Sequence, residues 1–170
     1  MKVALIVDQL RVGGKERVVA TLGVALARRG VDVCVIALQR ADAYGAELCE
    51  AGCLVCELDS RRGTDLPAVA RLARLLRKFD PDVIHLHDRS SVVYGLLAAK
   101  VVPHARRVMT AHGLLKMQDS SPRAGWLERR LARSLDALVG VADDVAADYA
   151  QLWHYGGEVS VVANGIAPKP

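Results

Sequence analysis

The stretch 2–38, KVALIVDQLRVGGKERVVATLGVALARRGVDVCVIAL, decides the fold class. It begins with a nearly continuous apolar run (2–8), turns at Gly13 and Gly14, passes through a segment with helical spacing, and closes in a second apolar run (32–38). Apolar runs that hardly alternate with polar residues are characteristic of strands buried on both faces. In the middle segment Val18, Leu22, Ala25 and Leu26 form a stripe at helical spacing, and Gly30 stops the helix. A strand, a helix and a second strand make a right-handed crossover, which lays the two strands parallel with the helix on one face.

Outward from this unit the pattern repeats. LVCELD (54–59), DVIHLHD (82–88), RRVMTAH (106–112), DALVGVA (136–142) and VSVVAN (159–164) are further short apolar runs, with amphipathic segments between them. In one such segment Leu66, Val69, Leu72, Ala73 and Leu76 face inward, with Arg71, Arg74, Arg77 and Lys78 turned out; Pro81 ends it. The expectation is a three-layer α/β/α Rossmann-like domain over 1–170, with a mostly parallel sheet of about seven strands. Ligands of such sheets gather at the carboxyl ends of the strands. That rule selects Gly13 and Gly14, His87 and Asp88, His112 and Gly113, and Asn164 and Gly165.

Composition narrows the function. The chain is 52% hydrophobic and 25% charged, which excludes a disordered chain. Its net charge of +4 comes mostly from arginines on helix faces, and aromatics make up only 4%, so the interleaved basic and aromatic patch of a nucleic-acid binder is missing. No apolar run approaches the ~20 residues that cross a bilayer. The run at the amino terminus is short and ends in Asp8, so it reads as a first buried strand of a cytoplasmic protein rather than a secretion signal. Cys49, Cys53 and Cys56 have C-x3-C-x2-C spacing with no second knuckle or nearby histidine. With Cys34 they are expected to be buried small hydrophobes, not metal ligands or disulfides.

Two glycines before a helix let backbone N–H groups approach an anion, and the helix dipole favours its charge. The turn is neither G-x-G-x-x-G nor a P-loop, since GGKE lacks the four-residue spacer and the hydroxyl after lysine. Taken alone, a tight strand-to-helix turn accounts for it equally well. Lys15 either adds a cation there or is an exposed first-turn lysine.

GGKERVVATLGVALARRGVDVCVIAL, followed by FDPDVIHLHD, TAHG, LDALVGVADDVAADY and VSVVANGI, resembles the amino-terminal half of a family 4 retaining glycosyltransferase with the two-domain GT-B fold. The resemblance covers essentially the whole chain and about half of a usual member. It implies transfer of a hexosyl unit from a nucleotide diphosphate sugar to a hydroxyl of a glycan or lipid-linked acceptor, in cell-envelope or surface polysaccharide synthesis, without a cofactor or catalytic metal. The first domain mainly binds acceptor. A second domain, beginning near Asn164-Gly165-Ile166, holds most of the donor and its main phosphate-neutralising cations, so 1–170 alone is expected to be inactive.

By the same resemblance Gly13 and Gly14 approach the donor diphosphate. Glu16 matches the acidic residue usual after the glycine pair, where it orients the loop or an acceptor hydroxyl, or merely favours the helix N-terminus. His112 in TAHG matches the histidine near the donor's sugar and phosphate and is the expected catalytic residue, while His87 and Asp88 are either acceptor contacts or loop-stabilising strand ends. The family's serine after the sixth strand is Ala142 here, so no hydroxyl contact is carried over; Asn164 and Gly165 are assigned to architecture.

Three other readings stay open. The chain can be a stand-alone, non-catalytic glycan-binding or regulatory module. It can be a metal-dependent hydrolase, because His85 and His87 project from one strand face and Asp88 and His112 complete a ligand set. Finally SSPRAGWLERRLARS (120–134), with Trp126 among Arg123, Arg129, Arg130 and Arg133, suits either a peripheral contact with the inner face of an anionic membrane or a helix packing Leu127 and Leu131 onto the sheet.

Overall fold

The computed structural model describes residues 1–61, 65–114 and 122–165. Strands β1 (Lys2–Val7), β2 (Asp32–Ala37), β3 (Leu54–Glu57), β4 (Val83–Leu86), β5 (Arg106–Ala111), β6 (Ala137–Gly140) and β7 (Glu158–Val161) form one sheet in the order β3-β2-β1-β4-β5-β6-β7. Every neighbouring pair is parallel. All seven apolar runs of the sequence are strands. Each strand ends short of its run, so Asp8, His87, Asp88 and His112 fall just past a carboxyl end.

Helices α1 (Gly14–Ala27), α2 (Gly45–Glu50), α3 (Leu66–Phe79), α4 (Arg89–Ala98), α5 (Pro122–Ala132) and α6 (Asp143–Trp153) cover the two faces. Side chains alternate across each strand, and β1 shows the consequence. Ala4 and Ile6 join a core with Leu72 and Leu76 of α3 and Val92 of α4, whereas Val3, Leu5 and Val7 join a second core with Val19 and Ala20 of α1 and Leu48 of α2.

Two helical stripes shift from their expected positions. In α1 the buried residues are Glu16, Val19, Ala20 and Gly23, while Val18, Leu22, Ala25 and Leu26 are only half-buried. The helix lies on its smallest residues: a Cβ on Gly23 would come within 2.7 Å of Leu48 Cδ2. A hydrophobicity pattern does not register a glycine used for close approach. In α3 Leu72 and Leu76 are buried as expected, but Leu66 is 66% exposed at the helix start. Asp65 caps that start by accepting from Ala68 N–H at 3.0 Å, and Asp80 ends the helix in the left-handed conformation, φ 55°.

Cys34 and Cys53 are buried, but Cys49 is exposed and Cys56 half-buried. The expectation of four buried thiols fails for Cys49 because α2 buries only Leu48. Among the described residues, no helix is long and apolar enough to cross a membrane.

Candidate functional site

The chain leaves β1 toward β2 and β3, then returns to lay β4 on the other side of β1. This reversal opens a crevice at the carboxyl ends of β1 and β4, the usual ligand position in such sheets. Asp8 and Asp88 follow those two strands. Asp88 is the N-cap of α4: its Oδ1 accepts from Ser91 N–H at 2.7 Å, and Ser91 Oγ accepts from the His87 and Asp88 amides at 3.0 Å. Its Oδ2 accepts from Asp8 N–H at 2.7 Å and from Lys15 Nζ at 3.1 Å. One carboxylate thus ties β1, α1 and α4 together.

Lys15 comes from the first turn of α1. Burial works against its charge, but Asp88, Glu16 and Asp8 outweigh that and hold its pKa above the ordinary lysine value. Asp8 is pushed upward by burial and then by the charge of Asp88, against a hydrogen bond from Gln39 Nε2 at 3.0 Å.

The glycine pair divides its work. Gly13 is extended, φ −177°, and precedes α1 with no side-chain cap on the helix. A Cβ on Gly13 would strike the carboxylate of Glu16, which folds back over it at 8% exposure and lies 3.5 Å from Lys15 Nζ. A Cβ on Gly14 would meet nothing within 4 Å. The first glycine makes room for a carboxylate; the second leaves backbone open at a helix N-terminus whose first N–H groups lack intrahelical partners.

Three histidines stand in a row behind this crevice. His85 is half-buried in β4 and lies 2.7 Å from Thr110 Oγ1 through its Nε2. Its ring centroid is 4.1 Å from that of His87, and His87 Nδ1 is 3.2 Å from His112 Nε2. Burial, then the neighbouring His112, lowers His85 to about 4; burial, then Lys15, lowers His112 to about 4. His87 is driven well below its ordinary value by burial and by His85 and His112. All three rings are therefore neutral at neutral pH.

Lys15, His87, Asp88, His112, Gly113 and Tyr149 line a pocket of about 320 Å³. A smaller one of about 170 Å³ has Asp8, Gln39, Ser60, Arg61, Ser90 and Tyr94 among its walls. Four residues selected from the sequence share the larger pocket: His87, Asp88, His112 and Gly113. Gly13, Gly14 and Glu16 adjoin it through Lys15. His87 contributes almost no surface, at 1% exposure, and the oxygens of Asp88 are committed to capping and to Lys15. Asn164 and Gly165 are exposed beyond β7 and do not line this pocket, while position 166 lies outside the described residues.

Sequence reasoning leaves Lys15 open between a cation at the turn and an exposed first-turn lysine, and it misses Tyr149. Lys15 shows its role only once Asp88, 73 positions away, is brought beside it. Tyr149 sits in the helical pattern of α6, where it packs edge-on against Trp153 with ring centroids 4.8 Å apart; no local signal marks it. Among the described residues, no three histidine, cysteine, aspartate or glutamate side chains are arranged to hold a metal ion. His85 faces Thr110 and Asp88 faces Lys15, so the four residues of the hydrolase reading do not converge.

On α5 Leu131 packs against the core, and buried Glu128 accepts from Arg89 at 2.7–2.9 Å. Trp126 is 58% exposed, and Arg130 and Arg133 are exposed with it. Residues 120 and 121 of the basic segment, and the side chain of Arg123, lie outside the described part.

A sequence profile described as Glycosyltransferase Family 4 matches residues 12–169. No curated protein matches the chain in sequence. Among solved structures, Anabaena Alr3699/HepE in complex with UDP and glucose superposes with a TM-score of 0.78 at 18% identity, over 98% of this chain and 45% of its own. Sucrose-phosphate synthase from Thermosynechococcus elongatus gives 0.73 at 18%, over 97% and 48%. The lipopolysaccharide outer core galactosyltransferase WaaB gives 0.69 at 16%, over 99% and 47%. The chain thus spans less than half the length of each. At these identities the likeness establishes the fold, one half of the GT-B architecture, and the profile match establishes kinship: the chain belongs to glycosyltransferase family 4.

Proposed function

We propose that residues 1–170 are the amino-terminal, acceptor-binding domain of a retaining glycosyltransferase. The enzyme transfers a hexosyl unit from a nucleotide diphosphate sugar to a hydroxyl of a glycan or lipid-linked acceptor, in cell-envelope or surface polysaccharide synthesis. The observation that carries this reading is the meeting of Lys15 and His112 in one pocket at the reversal of strand order, beside an uncapped helix N-terminus. The binding of UDP and glucose by HepE supports the donor class.

The chemistry follows from the groups present. As the sugar–phosphate bond breaks, negative charge grows on the departing diphosphate, and groups preorganised around it stabilise the transition state more than the ground state. The amides of Gly14 and Lys15 offer N–H groups and the positive end of the α1 dipole. His112 is neutral, so it contributes a hydrogen bond rather than a charge. Lys15 is the local cation, partly offset by Asp88 and Glu16. Glu16, His87 and Asp88 support this wall on the acceptor side. The remaining phosphate charge falls to a second domain, so the 170-residue segment alone is inactive.

The test is sugar transfer from uridine, guanosine and adenosine diphosphate hexoses by this segment joined to its natural continuation. Transfer from one donor class, lost in His112→Ala and strongly reduced in Lys15→Ala, supports the reading. Transfer by residues 1–170 alone overturns the two-domain assignment, and full activity of His112→Ala overturns the site. A longer chain that binds glycan without transferring sugar indicates the non-catalytic module.

We also infer a peripheral contact with the inner face of the membrane through 120–134, supported by exposed Trp126 beside Arg130 and Arg133. Sedimentation with anionic but not neutral vesicles, abolished in Trp126→Ala/Arg130→Glu, is the expected result. Equal binding to both vesicle types, or none, removes the proposal.

A further inference from the structure

The smaller pocket sits past the carboxyl ends of β1, β2 and β3, which are followed by its wall residues Asp8, Gln39 and Ser60; Ser90 of α4 adds a second hydroxyl. Asp8 and Gln39 are joined twice. The Gln39 backbone N–H donates to the Asp8 carbonyl at 2.8 Å, and Gln39 Nε2 donates to Asp8 Oδ1 at 3.0 Å. A carboxylate only accepts, so the amide turns its nitrogen toward Asp8 and its Oε1 away. Each side chain then keeps one spare acceptor: among the described residues, neither Asp8 Oδ2 nor Gln39 Oε1 has a hydrogen-bond partner. Both atoms stay open to solvent, in contrast to His87 Nε2 and His112 Nδ1.

The empty pocket leaves Asp8 short of donors. Burial and the charge of Asp88 raise its carboxyl pKa, and among the described residues Gln39 alone donates to that carboxylate. A partly buried carboxylate oxygen gains when a donor replaces the water it has lost.

The charges on the wall restrict which donor fits. Asp8 disfavours an anion. Arg61, which forms no ion pair among the described residues, disfavours a cation. The hydroxyls of Ser60 and Ser90 both donate and accept. An uncharged ligand whose own groups donate and accept matches this wall, and alcohol hydroxyls do so. At about 170 Å³ the pocket is smaller than the ~300–1,000 Å³ of drug-sized sites, so it suits one ring rather than a chain. It also adjoins the larger pocket, because the Asp8 N–H donates to Asp88 Oδ2 on that pocket's wall.

We propose that the smaller pocket is a sugar subsite: it takes one uncharged pyranose ring of the acceptor, whose neighbouring hydroxyls donate to Asp8 Oδ2 and Gln39 Oε1. The proposal rests on the reading of this chain as an acceptor-binding domain, but the binding is measured with no donor and no transfer.

The experiment is a titration of this chain, followed in ¹H–¹⁵N correlation spectra, with the methyl α-glycosides of glucose, galactose and mannose and, separately, with inorganic phosphate. At least one glycoside is expected to move the Gln39 side-chain amide and the Ser60 backbone amide saturably, while the Gly14 and Gly113 amides stay in place. Loss of the charged acceptor in Asp8→Ala should raise the apparent Kd roughly tenfold or more, and Gln39→Leu should raise it less. No shift at Gln39 and Ser60 from any glycoside overturns the proposal, and the wild type decides this even if neither variant folds. Shifts confined to Gly14 and Gly113 overturn it by placing the sugar in the larger pocket. Shifts from phosphate alone overturn it by making this an anion site, and undiminished binding in both folded variants overturns it too. Sugar transfer by the longer chain without these shifts sinks the subsite only. Saturable shifts without any transfer leave the sugar site standing and sink the transferase reading.

Discussion

Lys15 Nζ lies 3.1 Å from Asp88 Oδ2, and the same oxygen accepts from the Asp8 amide, so a helix start, a strand end and a helix cap converge on one atom. Both charged side chains keep partial solvent contact, 24% for Lys15 and 15% for Asp88. Replacing Asp88 with alanine removes the α4 cap and leaves Lys15 and the Asp8 amide without that acceptor. The expected loss is about 2–4 kcal/mol, between the value of a cap and that of a broken buried pair. Urea denaturation midpoints check it. Asp88→Asn, which retains an acceptor for the Ser91 amide, should lose clearly less.

The two glycines are separable by a methyl group. Gly13→Ala drives a Cβ into the Glu16 carboxylate, the far end of a flexible side chain that can swing aside, and should destabilise by no more than about 1 kcal/mol. Adding Glu16→Ala removes the clash, so the double variant should recover part of that loss in a double-mutant cycle. Gly14→Ala has free space and should hold or raise stability by up to ~1 kcal/mol. If a diphosphate nevertheless approaches this backbone, the same variant raises the donor KM of the full enzyme. Unchanged stability with unchanged KM would remove Gly14 from the phosphate site.

The depressed histidines give stability a definite pH dependence. In the folded state His85 and His112 titrate near 4, against an ordinary 6.5. Between these values the unfolded chain binds more protons, so their contribution is fully present above about 6.5 and is lost as pH falls toward 4. Unfolding midpoints measured from pH 7 to 4 should therefore decline, and His112→Gln should flatten the slope. The raised carboxyl of Asp8 acts in the opposite sense, losing its contribution as pH rises through its folded value.

Glu128 and Arg89 join α5 to the start of α4 through contacts of 2.7–2.9 Å, at 6% and 13% side-chain exposure. Removing Glu128 takes from Arg89 a set of nearly buried, charge-assisted hydrogen bonds, so Glu128→Ala should cost about 1.5–3 kcal/mol. Glu128→Gln, which keeps an acceptor oxygen for Arg89, should lose less than Glu128→Ala. Thermal unfolding of the three proteins decides.

The strands were legible because a strand buried on both faces has little choice but a run such as ALIV or VCVIA. Helix faces were less so. The α1 stripe was misplaced because Ala20 and Gly23 fill the tightest contact while carrying the weakest hydrophobic signal. His112 was found by its position after β5 and by its motif. Lys15 stayed undecided between a cation at the turn and an exposed lysine, and Tyr149 gave no signal, since their membership in the pocket depends on residues 73 and more than 30 positions away along the chain. His87 was recognised as a strand end, but its near-complete enclosure by neighbours follows only from assembly.

The reversal of strand order also has a consequence for synthesis. β1 gains its first neighbour when β2 emerges, but its other edge waits for β4, which begins at Val83. At ~5–20 residues per second the ribosome needs a few seconds to supply that partner. During that interval the future middle of the sheet is a bare apolar rim, open to pairing with another nascent chain. Chaperone demand during translation should peak there and fall once Leu86 has left the exit tunnel.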